Sequence, residues 1–275
     1  FQIKSAVDKL TENDFSISPD LERRDELGQL SQSVGKLRLA LQRLDILRRE
    51  VIANVSHELK TPLTSISGYA EIIREGMVKS EDVGRFAGKI YEEAQRLITL
   101  VEDILNLSHL DEGAPGQERR QGIDLYALCE RAVASLAEAA RQRGIAISLT
   151  GSRQRVDGAE KLLAEIIFNL CDNAIKYNQE NGHVAVSVTR EGDRVVLTVQ
   201  DTGIGIPPGE TDRVFERFYR VDKSHSKEIG GTGLGLSIVK HAAAYHDAKI
   251  QLDSQLGRGT RVRVLFPLSQ REAQP

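Results

Sequence analysis

The constraint that most limits how this chain folds is a seven-residue hydrophobic repeat. With Ile52 taken as position a, Ile52, Val55, Leu59, Pro62, Ile66, Tyr69 and Ile73 fall at successive a and d positions. The stretch from Glu75-Gly76 to Ser80-Glu81-Asp82 is polar and breaks the pattern. A second run follows through Val83, Phe86, Ile90, Ala94, Leu97, Val101, Ile104 and Leu107. Two long amphipathic helices with a short connection form an antiparallel hairpin. One hairpin covers only one side of each helix. Two copies are therefore expected to pair as a four-helix bundle, which makes the chain a homodimer.

The flanking sequence divides around this hairpin, which is assigned to residues 46–112. Residues 1–45 are polar helical sequence broken at Asn13-Asp14-Phe15-Ser16-Ile17-Ser18-Pro19, and Asp25-Glu26-Leu27-Gly28 opens a new run (Leu27, Leu30, Val34, Leu37, Leu41, Leu44). The acids at its start suit the helix dipole. Residues 113–121 are a polar, Gly/Pro-bearing linker, and residues 271–275 a polar tail. Between them, residues 122–270 mix helix and strand. Helices are expected at Asp124 to Arg143, Asp157 to Tyr177 and Thr232 to Ala244, with a strand at Ile145 to Leu149. Val184/Val186/Val188 and Val195/Leu197/Val199 alternate around Glu191-Gly192-Asp193, a hairpin pattern. Ile250 to Leu252 and Val262 to Phe266 flank Gly257-Arg258-Gly259 as a second hairpin. Hairpin-paired strands with helices between them indicate an α/β sandwich, one sheet with helices on one face.

Composition removes several function classes. A formal net charge of −3 lacks the basic excess of a nucleic-acid-binding surface. The two cysteines, Cys129 and Cys171, form no CxxC and no disulfide framework; both fall in helical patterns and read as small core residues. No run of about 18 apolar residues exists to span a membrane. Met77 is the only methionine, so the sequence is expected to be an internal part of a longer protein.

In the heptad frame His57 falls at position f, away from the hydrophobic seam. Glu58 adjoins it, and Thr61 lies one turn along on the same face. Pro62, inside the helix, removes the bond to the Glu58 carbonyl and is expected to bend the helix beside the histidine. An exposed histidine with an adjacent acid and no metal-ligand spacing suits nucleophilic chemistry at the imidazole. Downstream, Glu165, Asn169 and Asn173 recur every four residues along one helix face, with Lys176 and Tyr177 a further turn on. Amide oxygens there suit a hard cation, and amide N–H groups suit phosphate. Asp201-Thr202-Gly203-Ile204-Gly205-Ile206 follows a strand. Pro208 stands where a dinucleotide fingerprint needs its third glycine, and no GxxxxGK[ST] occurs. Gly230-Gly231-Thr232-Gly233-Leu234-Gly235-Leu236 opens a helix, which lets backbone N–H groups approach phosphate.

The run Val55-Ser56-His57-Glu58-Leu59-Lys60-Thr61-Pro62-Leu63 resembles the H-box of sensor histidine kinases. The segments holding Asn169, Asp201, Phe215-Glu216-Arg217-Phe218-Tyr219-Arg220 and Gly231 resemble the N, G1, F and G2 boxes of the GHKL (Bergerat-type) ATP-binding fold. Residues 1–45 resemble a HAMP signalling module with its first helix cut short; a plain coiled-coil linker is the alternative. The resemblance implies that His57 accepts phosphate from ATP and passes it to an aspartate of a response regulator. Glu58 is then base or proton acceptor, and Thr61 positions water when the partner is dephosphorylated. It also implies that Asp201, supported by Thr260, accepts from the adenine amine and that Asn169 coordinates Mg2+. Asn173 and Lys176 contact phosphates, and Tyr177 lies against the base. Gly203, Gly205, Gly231, Gly233, Leu234, Gly235 and Leu236 shape the loops. Arg217 and Arg220 either reach phosphate or pair with acids. Val221 to Ile229 is expected to be a lid. A HAMP-like start implies membrane helices upstream of Phe1, although a soluble kinase with other modules is the alternative. Two rivals stand beside the kinase: a GHKL ATPase using Glu165 to activate water, and a scaffold with a decayed kinase.

Overall fold

The computed structural model describes residues 2–12, 14–16, 25–111, 119–221 and 231–269. Contacts divide the chain into two units, Phe1–Thr64 and Ser65–Pro275. In the first, α1 (Gln2–Thr11) buries Ala6 and Leu10, and α2 (Glu26–Arg74) buries Ser31 and Val34. Asp25 caps α2 with its side chain, its Oδ1 accepting from the Gly28 N–H at 3.2 Å. The Arg38 guanidinium donates to the Phe15 carbonyl at 3.0 Å, fastening the connector to α2. Between Gly35 and Pro62 the sequence holds no glycine or proline. Helix therefore runs through residues 45 and 46 without a break, and it continues through Pro62. Most of the connector expected near Ser18-Pro19 lies outside the described residues, as do most of the linker, the lid and the tail.

The second unit begins with the end of α2, which stops where the polar break was expected. Gly76 takes φ +69°, and the Met77 N–H reaches back to the Ile72 carbonyl at 3.0 Å, a left-handed glycine stop. From there α3 (Val83–Asp111) returns, and Tyr69 of α2 meets Phe86 of α3 edge to face, centroids 5.7 Å apart. These two residues belong to the two heptad runs, so the hairpin forms along the face the repeat defines.

Beyond it come β1 (Arg120–Asp124), α4 (Leu125–Gln142), β2 (Ala146–Gly151), β3 (Arg155–Gly158) and α5 (Glu160–Lys176). They are followed by β4 (His183–Glu191), β5 (Arg194–Asp201), a 3-10 turn at Arg213–Phe215, α6 (Gly235–Tyr245), β6 (Lys249–Gln255) and β7 (Gly259–Pro267). The main sheet has the order β2-β4-β5-β7-β6, with β2 parallel to β4 and the other pairs antiparallel. Val184, Val186 and Val188 alternate into the core with Val195, Leu197 and Val199, where they meet Leu163, Ile166, Ile167 and Val239 from the helices. Both expected hairpins form, in registers Glu191↔Arg194 and Gln255↔Gly259.

Three boundaries differ from the sequence reading. Arg120 and Gln121, assigned to a linker, open β1, which pairs with β3 in a separate two-stranded ribbon. Asp157, assigned to a helix, is in β3, where its Oδ1 accepts from the Gly122 N–H at 2.8 Å and the Ser269 hydroxyl at 2.6 Å. And α6 starts at Gly235 rather than Thr232, because residues 231–234 stay open as a loop.

Candidate active site

Two constellations carry chemistry. On α2, His57 is exposed and Glu58 half-buried. The Thr61 hydroxyl donates to the His57 carbonyl at 3.2 Å. That bond orients the hydroxyl along the helix on the histidine's side, one turn away, as the i+4 spacing requires.

The second constellation is a cavity of about 790 Å³ in the second unit. Its upper wall is α5, whose polar face presents Asn169, Asn173, Lys176 and Tyr177. Asn169 Nδ2 donates to the Glu165 carbonyl one turn back at 2.9 Å, which leaves Oδ1 as the free end of the amide. That oxygen faces Gly235, the first residue of α6: a Cβ there would lie 2.8 Å from it. A hard cation held by an amide oxygen beside phosphate fits this arrangement. No side chain caps α6, so its first N–H groups and the positive end of its dipole remain available to an anion. Lys176 enters the cavity paired with Asp172, Nζ to Oδ2 2.6 Å.

The far end is set by Asp201, the last residue of β5. Its Oδ1 accepts from the Gly203 N–H at 2.8 Å and the Thr260 N–H at 3.1 Å. Burial raises this carboxyl above its ordinary pKa, and the two N–H bonds oppose the rise. Gly205 crosses close to the β6–β7 hairpin, with φ +66° and a notional Cβ only 2.1 Å from the Gln255 carbonyl, so no other residue fits. Val199, Leu252 and Val262 supply an apolar floor, which suits a flat aromatic base between polar ends.

Of the residues singled out from sequence, Asn169, Asn173, Lys176, Tyr177, Asp201, Gly205, Gly231, Gly233, Gly235, Leu236 and Thr260 converge on this cavity. Four do not line it. Gly203 acts from behind through its N–H, and Leu234 is fully buried under the loop. Arg217 contacts His241, Nη2 to Nε2 3.3 Å, whereas Arg220 does reach the wall. Glu165, the ATPase candidate, keeps one carboxylate oxygen buried with no hydrogen-bond partner among the described residues, and the other 3.9 Å from Lys161. Its burial raises its pKa.

Sequence reasoning missed the contribution of α3. Asp103 lines the cavity and accepts from the Thr232 hydroxyl of the glycine-rich loop at 2.8 Å. Its carboxyl is raised by burial; Thr232 and Lys176 pull it down, and Asp172 and Glu102 push it further up. Nothing in the heptad distinguished Asp103 from any other outward polar residue. Among the described residues no group of three or more His, Cys, Asp or Glu side chains is arranged to hold a metal.

This geometry agrees with three family profiles that match successive parts of the chain. They are the HAMP domain over residues 2–43, the His Kinase A (phospho-acceptor) domain over 47–113, and the histidine kinase-, DNA gyrase B- and HSP90-like ATPase over 158–270. The chain belongs to the sensor histidine kinases. Among its relatives, the sensor-like histidine kinase SenX3 of Mycolicibacterium smegmatis is 40% identical over 226 residues, covering 82% of this chain and 59% of that protein. The sensor histidine kinase WalK of Bacillus subtilis is 35% identical over 235 residues, or 84% of this chain and 38% of that one. The chain thus spans little more than half, or less, of these relatives. Among solved structures, the histidine kinase AdeS of Acinetobacter baumannii shares the fold, with TM-score 0.64 and 23% identity over 77% of this chain and 98% of that one. Full-length ShkA in complex with AMPPNP has TM-score 0.59 and 27% identity over 80% of this chain and 46% of that one. As in other sensor histidine kinases, the helical phosphoacceptor region precedes an α/β sandwich.

Proposed function

We propose that this chain transfers the γ-phosphoryl group of ATP to His57 and then to an aspartate of a response regulator. The observation that carries the reading is the cavity in which the amides of α5, the uncapped start of α6 and half-buried Asp201 converge. It has an amine-accepting end and a phosphate-accepting end, and the same sequence carries an exposed His57 with half-buried Glu58 beside it on α2. Asp201 accepts from the adenine amine with Thr260 beside it, Tyr177 packs against the base, and Asn173, Lys176 and the loop from Gly231 to Leu236 hold the phosphates. Mg2+, when bound through Asn169 and the phosphate oxygens, neutralises charge on the triphosphate.

At His57 a neutral ring nitrogen attacks phosphorus and the bond to the ADP oxygen breaks. Glu58 takes the proton from the other ring nitrogen. The phosphoramidate keeps a good leaving group, so the phosphoryl group passes on to a carboxylate. Thr61 positions water for dephosphorylating the regulator. Two copies pair through the helical hairpin, whose second helix leaves apolar residues such as Ile98, Val101 and Leu105 exposed. No helix among the described residues is long and apolar enough to cross a membrane; the HAMP match supports a parent protein anchored by segments outside this sequence.

The ATPase alternative is less well supported, because Glu165 is off the cavity wall. The test is labelling with γ-phosphate-labelled ATP and magnesium. Acid-labile, alkali-stable label that vanishes in His57→Gln and Asn169→Ala supports the kinase. Steady phosphate release that survives His57→Gln and stops in Glu165→Gln supports the ATPase instead.

A further inference from the structure

We infer that Ser254 is a positioning residue for nucleotide selection, holding the Thr260 hydroxyl so that the site offers an exocyclic amine two acceptors. The inference rests on the assignment of adenine to Asp201. Ser254 lies on β6 directly across from Thr260 on β7, and its hydroxyl has a single proton for three neighbours. It accepts from the Ile206 N–H at 2.8 Å, lies 3.1 Å from the Gly259 carbonyl oxygen, and is 2.8 Å from Thr260 Oγ1. An amide N–H only donates and a carbonyl only accepts. The Ser254 proton therefore goes to Gly259, and in the remaining contact Thr260 is the donor.

The consequence lies in the cavity, which both Thr260 and Ile206 line. With its proton directed at Ser254, Thr260 Oγ1 has only lone pairs left for a ligand. Its own backbone N–H holds Asp201 Oδ1 at 3.1 Å. Carboxylate and hydroxyl thus present acceptors side by side. Adenine carries an amine at C6, with two N–H donors; hypoxanthine and guanine carry a carbonyl oxygen there. A pair of acceptors at that position rejects the oxygen, because lone pairs meet lone pairs. Without Ser254 the Thr260 hydroxyl is free to rotate and donate to a carbonyl.

Isothermal titration of the chain with magnesium and either ATP or inosine triphosphate tests this directly. In Ser254→Ala the ATP preference is expected to fall about fivefold, mainly through tighter inosine triphosphate binding. Thr260→Val should lower the preference comparably, the double variant should fall no further than Thr260→Val alone, and Ser254→Thr should restore it. Equal weakening of both nucleotides in Ser254→Ala would overturn the inference, leaving Ser254 a support for the Ile206 loop. An additive double variant, or an unchanged preference, would overturn it as well. The adenine assignment fails separately: Asp201→Asn with unchanged affinity for both nucleotides removes it whatever Ser254 does.

Discussion

His57 stands exposed on a helix that supplies Glu58 and Thr61 within one turn, whereas Asp201 is held by N–H groups from a loop and from a different strand. The first constellation is built by helical periodicity alone. The second needs α3, α5, α6, two glycine-rich loops and a β-hairpin to arrive together. Under the proposed function the contrast follows from the tasks assigned to them. A residue that receives and hands on a phosphoryl group must be reachable by two different partners in turn. A residue that selects a base must be shielded from water, where hydrogen bonds discriminate most strongly.

The largest effect separates the two. His57→Gln should reduce phosphate incorporation to background while leaving ATP affinity within about twofold, since the residues proposed to hold the nucleotide all belong to the second unit; a large loss of ATP binding would break the separation. Next, Asp201→Ala should weaken ATP binding by roughly 10–100-fold, the worth of a charge-assisted hydrogen bond, with His57 unaffected as an acceptor from an added phosphodonor. Gly235→Ala should weaken magnesium-dependent ATP binding about tenfold, because the added Cβ meets Asn169 Oδ1 at 2.8 Å. Asp103→Asn keeps an acceptor for Thr232 but removes a negative charge from the cavity, so ATP should bind about two- to threefold more tightly, an effect that shrinks in high salt.

The smallest effect concerns stability rather than chemistry. His246 is buried and neutral: Nε2 accepts from the Ala159 N–H at 3.1 Å, and Nδ1 donates to the Ala242 carbonyl at 2.6 Å. Burial, with a lesser contribution from Arg119, lowers its pKa below 6.5, against the opposing pull of the Ala242 carbonyl and of Asp247. With the folded pKa depressed, its contribution is fully present above the unfolded value near 6.5 and is lost as pH falls below it. Denaturant midpoints compared at neutral and mildly acidic pH should therefore fall with acid, and His246→Gln should flatten that decline. An unchanged slope would show that other groups set the acid limit.

Legibility followed the range of the interactions. The hairpin and the His57 face were readable because heptad spacing places residues three and four apart on one side of a helix, whatever surrounds it. The amides of α5 were readable for the same reason. The β1–β3 ribbon was not, because Arg120–Asp124 and Arg155–Gly158 are short, polar and without alternation strong enough to signal a strand; only their pairing makes them one. Arg217 carried the right charge for phosphate but contacts His241, a matter of packing that charge alone does not reveal.

By itself, then, the sequence determined the two heptad runs, the helix face that carries His57, the alternating strands of the two hairpins and the glycine-rich loops. Each of these depends on the sterics and periodicity of neighbouring residues along the chain. Tertiary structure alone decided that Asp103 reaches Thr232 from another helix, that Glu165 stays off the cavity wall, and that Ser254 faces Thr260 across a strand pair. Those outcomes depend on which elements pack together and in what register, and a one-residue slip of β6 against β7 would turn Ser254 to the opposite face.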